Sequence, residues 1–166
     1  ICHSFAAWAL WYLGYPDQGL ARIDEAVTLA QQCAHPWSLS FVLSFAARFY
    51  QLHREGRATQ ERAEASIILA MEQGFPVWRA QGAILGGWAL AQQGRAKEGI
   101  EQLNQGLRAF RATGAKISQS HFLALLAEGY GIMGQPKAGL EALAEALMLV
   151  DRTGERWYES ELYRLK

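Results

Sequence analysis

The chain repeats itself every 40 residues. Gly94 and Gly134, Gly99 and Gly139, Leu103 and Leu143, and Leu107 and Leu147 are each one period apart. Gly74, Gly114 and Gly154 mark three successive units, and Gly14, Gly19, Ile23, Ala26 and Val27 carry the series toward the N-terminus. A fixed period of this size requires a stacked array of supersecondary units, each burying its apolar face against the next.

Within a unit the period is helical. Leu140, Leu143, Leu147 and Val150 recur at spacings of three and four, on one face of a helix. No stretch alternates with period two. The reading is all-α: antiparallel helix hairpins, period 40, stacked into a superhelix. First helices are expected over 1–13, 37–53, 77–93, 117–133 and a partial 156–166. Second helices are expected over 16–33, 57–73, 96–112 and 136–152. The whole chain, 1–166, is then one repeat domain with units 1–36, 37–76, 77–116, 117–156 and a partial 157–166. Pro16 and Pro136 fall where a helix begins, and the missing N–H costs nothing there. Gly114 and Gly154 fall where a helix ends in a left-handed residue. Gly86, Gly87 and Gly106 fall mid-helix, where glycine costs about 1 kcal/mol against alanine. Close approach of neighbouring helices is the plain use for them.

These residues resemble tetratricopeptide repeats (TPRs). The carrying pattern is a turn Gly, a small residue five positions on, then apolar positions and another small residue. It stands at Gly134–Leu147, Gly94–Leu107 and Gly14–Val27. The unit at 54–67 departs, with Arg54, Thr59 and Gln60 at those positions and a glycine at 56. The period also falls in the range of HEAT and armadillo repeats, but the Gly turn and small-residue spacing favour the TPR reading. The long unit and wording such as Leu13-Gly14-Tyr15-Pro16-Asp17-Gln18 are similar to the repeat regions of large bacterial signalling ATPases, cyclases and related transcriptional regulators. The resemblance implies a right-handed superhelix and a non-catalytic, cytoplasmic interaction or sensor module. The chain opens at Ile1-Cys2-His3 inside the periodic pattern and stops at Leu165-Lys166 in mid-helix, so it reads as a fragment of a longer protein.

In such arrays the first helices line a concave groove. Carrying the resemblance over position by position gives Trp8, Trp11, Tyr12, Arg48, Gln51, Trp88, Gln92, His121 and Glu128 as the expected partner-binding residues. Trp and Arg are enriched among residues that dominate binding energy. The expected partner is a protein or peptide. The alternative is a structural spacer that self-associates through the repeat ends, where Trp157, Tyr158, Leu162 and Tyr163 form a half-unit.

Catalytic and metal readings find little. Gly82, Gly86 and Gly87 lack the strand, Lys and Ser or Thr of a phosphate loop. Cys33 and His35, or Cys2 and His3, lack the paired spacing of a zinc site, and read as a buried thiol and a helix-end histidine. His53, His121, Glu61 and Glu64 form no acid–base pattern. No cofactor is expected. With 16 basic and 16 acidic residues there is no electrostatic case for nucleic acid. No apolar run reaches membrane-spanning length.

Overall fold

The computed structural model describes all residues, 1–166. It contains nine helices and no strand: α1 (Cys2–Tyr12), α2 (Pro16–Gln32), α3 (Pro36–Leu52), α4 (Gly56–Gln73), α5 (Pro76–Gln92), α6 (Ala96–Ala112), α7 (Gln119–Ile132), α8 (Pro136–Thr153) and α9 (Glu159–Leu165). Proline opens α2, α3, α5 and α8. The φ it fixes suits a first helical turn.

The helix ends obey the period more strictly than the sequence does. Six glycines take φ between +68° and +86° at the turns. Two positions in the same register hold other residues, and both keep the conformation. Ala34 (φ +48°) stands where later units have Gly74, Gly114 and Gly154. Arg54 (φ +63°) stands where they have Gly14, Gly94 and Gly134. The departure at 54–67 therefore changes the side chains and leaves the turn intact. α7 begins two residues later than the periodicity predicts. Lys116 replaces the proline found at 36 and 76, and Ser118 takes a left-handed φ of +62° before the helix starts.

Each helix packs on its neighbours in sequence. Odd-numbered helices also pack on the next odd helix, whereas even helices stand farther apart and meet only through side chains such as Arg111 and Glu145. The odd helices thus form the inner row and the even helices the outer row. The close approaches foreseen at glycine are real. A Cβ added to Gly87 would stand 2.7 Å from the Gly99 carbonyl oxygen, and one on Gly106 would stand 2.9 Å from the Ile84 amide nitrogen. α5 and α6 meet backbone to backbone there, and any side chain would push them apart. One core cluster runs from Ala47 to Leu162 around Trp88, Phe110 and Phe122. A second joins Ala7, Ile23, Val42 and Phe49 in the first units. Fully burying an aliphatic or Phe side chain contributes roughly 1.5–3 kcal/mol, so these clusters hold the stack together. Leu162 and Tyr158 are buried in the first cluster, so the half-unit anchors the array at that end while Tyr163 stays exposed.

Candidate functional site

The inner row carries one residue of each unit at the same register: Trp8, Arg48, Trp88 and Glu128. They do not line an open trough. Trp88 is fully buried, and its indole N–H donates to Glu128 Oε2 at 3.1 Å. The Glu128 side chain is 7% exposed and also accepts from Arg54, while its Oε1 has no partner. Arg48 is buried with its guanidinium carbon 5.5 Å from the Trp8 ring, 5.6 Å from Phe45 and 5.2 Å from Phe122. Its Nη1 donates to Ser118 Oγ at 3.0 Å. Burial lowers its pKa to about 10, against the opposing pull of Glu155 and Tyr12, so it stays charged at neutral pH. The cation thus rests on aromatic faces with one side-chain hydrogen bond, and its Nε is unpartnered.

The remaining inner residues extend this packing. His121 Nε2 stands 2.9 Å from Gln51 Oε1, and both residues are buried. Burial, and secondarily Arg48, hold the His121 pKa well below the ordinary histidine value. The ring is neutral, with Nε2–H donating to Gln51 and Nδ1 left without a partner. Ser44 Oγ donates to Gln81 Oε1 at 2.6 Å one rung away. The loop before α9 then crosses the groove. The Trp157 ring packs at a tilt against Trp8 and His121, with centroids 5.3 Å and 5.2 Å away. Glu155 accepts from the Ser118 amide at 2.9 Å and from Trp157 Nε1 at 2.8 Å.

Two cavities survive on either side of α9. One, of about 510 Å³, is walled by Trp11, Tyr12, Gln51, Leu52 and Arg54 from the ends of α1 and α3, and by Trp157, Tyr158, Ser160, Glu161 and Arg164. The other, of about 520 Å³, is walled by Gln92, Glu128, Ile132, Leu140, Leu143 and Leu165 among others. The nine residues expected to line the groove therefore divide. Trp11, Tyr12 and Gln51 reach the first cavity, and Gln92 and Glu128 reach the second. Trp88, Arg48 and His121 are closed off between them, and Trp8 is half-buried beneath Trp157. For Trp88, Arg48 and His121 this corrects the expectation of an accessible surface. The superhelix is wound tightly enough for its first and last units to meet, and their side chains fill the middle.

Residues that sequence reasoning left outside the site are Arg54, Glu161 and Arg164. Arg54 bonds both Glu128 and Glu161, the latter at 3.0 Å, and Arg164 Nε donates to Glu161 Oε2 at 2.7 Å. The signal was present: Arg54 is the one arginine at a turn position that glycine otherwise holds.

No group of three or more His, Cys, Asp or Glu stands close enough to hold a metal ion. Cys33 is exposed, as is Cys2, which corrects the expectation of a buried thiol. His35 sits at the start of α3 and caps it, Nδ1 accepting from the Ser38 amide at 3.3 Å. Gly82, Gly86 and Gly87 lie inside α5 and serve packing. No helix is long and apolar enough to cross a membrane.

No family model matches the chain. It is 25% identical over 162 residues to an uncharacterized protein of Rhizobium meliloti (strain 1021), covering 96% of this chain but 16% of that protein. Among solved structures it resembles aspartyl phosphate phosphatase F from Bacillus subtilis (TM-score 0.70, 13% identity, 99% of this chain and 43% of that one). It also resembles the apo form of RapI (0.71, 11%, 96% and 58%). A third is the kinesin-light-chain TPR-like repeat protein of Podosopora anserina (0.66, 18%, 99% and 83%). The chain spans less than two thirds of the Rhizobium protein, of the phosphatase F structure and of RapI. At these identities the likeness is one of fold. The array is a right-handed, TPR-like superhelix of helix hairpins.

Proposed function

We propose that the chain is a non-catalytic peptide- or protein-binding repeat module, the interaction segment of a larger bacterial signalling or regulatory protein. The observation that carries this reading is the 510 Å³ cavity on the inner face, walled by Trp11, Tyr12, Trp157 and Tyr158 with arginines at its rim. Rigid aromatic walls give contact area at low entropic cost, and arginine adds directed hydrogen bonds. The volume suits one or two side chains of an extended segment rather than a folded domain. Tyr12 is half exposed and ready to meet them. The carboxylates at the cavities, Glu128 and Glu161, are both engaged by arginine, which suits a recognition surface better than proton transfer. The signalling context rests on the resemblance of the repeats and on the much longer Rhizobium relative.

A peptide array probed with the domain, followed by calorimetry on the tightest binder, tests the reading. Tyr12→Ala and Trp11→Ala should each weaken that peptide at least about tenfold, as loss of a binding hot spot does. Lys97→Ala, on the exposed outer row, should leave binding unchanged. Equal affinity in all three would remove the cavity from the account.

A second reading is self-association through the repeat ends. Apolar side chains stand exposed there, Phe5 at 54% and Tyr163 at 60%. Sedimentation velocity of the wild type and of Tyr163→Glu decides it. A dimer that this change dissolves supports the spacer role, and a monomer at all concentrations dismisses it.

A further inference from the structure

We propose that Arg54 is a clasp that holds the superhelix wound shut, so that the inner groove of this array has an open form governed by one arginine. Arg54 occupies a left-handed turn, φ +63°, where the other full units place Gly14, Gly94 and Gly134. A residue with a Cβ is strained there. Strain alone does not make a device: Ala34 tolerates a similar conformation at the other turn. The difference is reach. The Arg54 guanidinium leaves the end of α3 and bonds Glu128 on α7 and Glu161 on α9, residues 74 and 107 positions away in sequence. No other ion pair in the molecule joins helices so far apart along the array. Glycine at this turn would provide the conformation but none of the bridging.

The bridge sits where closure is decided. α3 and α9 share no backbone packing, since α9 rests on α7 and α8. Across the gap between them lies the first cavity, with Arg54 and Glu161 both in its wall. The other ties across the groove are the Trp8–Trp157 contact and the buried Arg48–Ser118 and Gln51–His121 hydrogen bonds. Most of what else stabilises the stack acts between adjacent units, so it survives a change of superhelical winding. Removing the clasp should therefore weaken closure and shift the array toward wider end-to-end separation while each hairpin stays folded. The closed form buries Arg48 and His121, and the open form would expose them.

Pulsed electron–electron spectroscopy tests this without any ligand. Spin labels go on Gln31→Cys and Glu141→Cys, exposed on α2 and α8, with Cys2→Ser and Cys33→Ser removing the exposed native thiols. Arg54→Gly installs the residue that the equivalent turns already use, so the turn should fold. The expected result is a shift of the α2–α8 distance to longer values with unchanged helical circular dichroism. The double variant Glu128→Gln/Glu161→Gln, which leaves the turn alone, should reproduce the shift. A distance distribution unchanged in both variants overturns the proposal. So does a shift in Arg54→Gly that the double variant fails to reproduce, because the cause would then be the turn and not the bridge.

Discussion

The hairpins α3/α4 and α5/α6 follow the same path with different materials. At four equivalent positions the second hairpin has Gly87, Gly94, Gly99 and Gly106, and the first has Ala47, Arg54, Thr59 and Ser66. In α5/α6 the helices touch through backbone, and a Cβ on Gly99 would stand 2.8 Å from the Ala91 amide nitrogen. In α3/α4 the side chains of Ala47, Thr59 and Ser66 are all present and fully buried, so those helices stand far enough apart to admit them. Two hydroxyls, Thr59 Oγ1 and Ser66 Oγ, then find no partner in the gap. The period therefore fixes the path of the backbone, and the spacing within each hairpin is set locally by the largest side chain the interface must hold.

The heaviest blow to this contrast falls on Trp88, which in the glycine hairpin fills the register that Arg48 fills in the other. Trp88 is fully buried at the centre of the larger cluster and supplies the indole donor to Glu128. Trp88→Ala should lose about 4 kcal/mol, the usual cost of truncating a core aromatic. Urea unfolding followed by circular dichroism measures it. A loss below about 1 kcal/mol would mean that the groove is open in solution and Trp88 solvated.

A swap between the hairpins comes next. Gly99→Thr places the Thr59 residue into the close-packed interface and should cost about 3 kcal/mol, the upper range for overpacking. Thr59→Gly, the reverse exchange, should cost no more than about 1 kcal/mol, the helix penalty of glycine partly offset by losing an unpartnered hydroxyl. Equal costs in the two directions would show that the hairpins are spaced alike, against the account above. Comparing the two urea midpoints at a common slope is enough to tell.

The same comparison shows what the sequence made legible. Helix positions, turns and the inner row followed from the period, because apolar spacing and Gly or Pro punctuation are local and repeated four times. Gly87 and Gly106 were recognisable as contact points for the same reason. The filling of the groove was not legible. It depends on how sharply the array winds, which accumulates from small rotations at every interface and brings Trp157 to Trp8 across 149 residues of chain. The bridge from Arg54 to Glu161 is of that kind too: Arg54 was visible as an anomaly in its own unit, and nothing local paired it with Glu161.

A smaller effect separates the units by pH. At one register of the inner row stand Phe41, Gln81 and His121, and only the last can titrate. Burial, then the nearby Arg48 charge, lower the folded-state pKa of His121 well below 6.5. The unfolded chain therefore binds the extra proton first, so stability is full above pH 6.5 and falls as pH drops below it. The slope can reach about 1.4 kcal/mol per pH unit for one such group. His121→Gln, which copies Gln81 and can still bond Gln51, should flatten the dependence between pH 7.5 and 5.5 in thermal melts. A slope unchanged by that substitution would assign the acid sensitivity to other groups.

The smallest change is a gain. Ser66 in α4 is fully buried and its hydroxyl has no partner, while the equivalent positions in α2 and α8 are Ala26 and Ala146. The array thus already accepts a methyl group at this register in two other hairpins. Ser66→Ala removes a buried polar atom and improves helix propensity, so it should add about 1 kcal/mol and raise the melting temperature by roughly 2–4 °C. A loss instead would mean that the hydroxyl bonds the carbonyl of Arg62 one turn earlier in solution, the usual refuge of a serine inside a helix. In that case α4 would be bent at Ser66, and the extra room in the α3/α4 hairpin would come from that bend rather than from the bulk of its side chains.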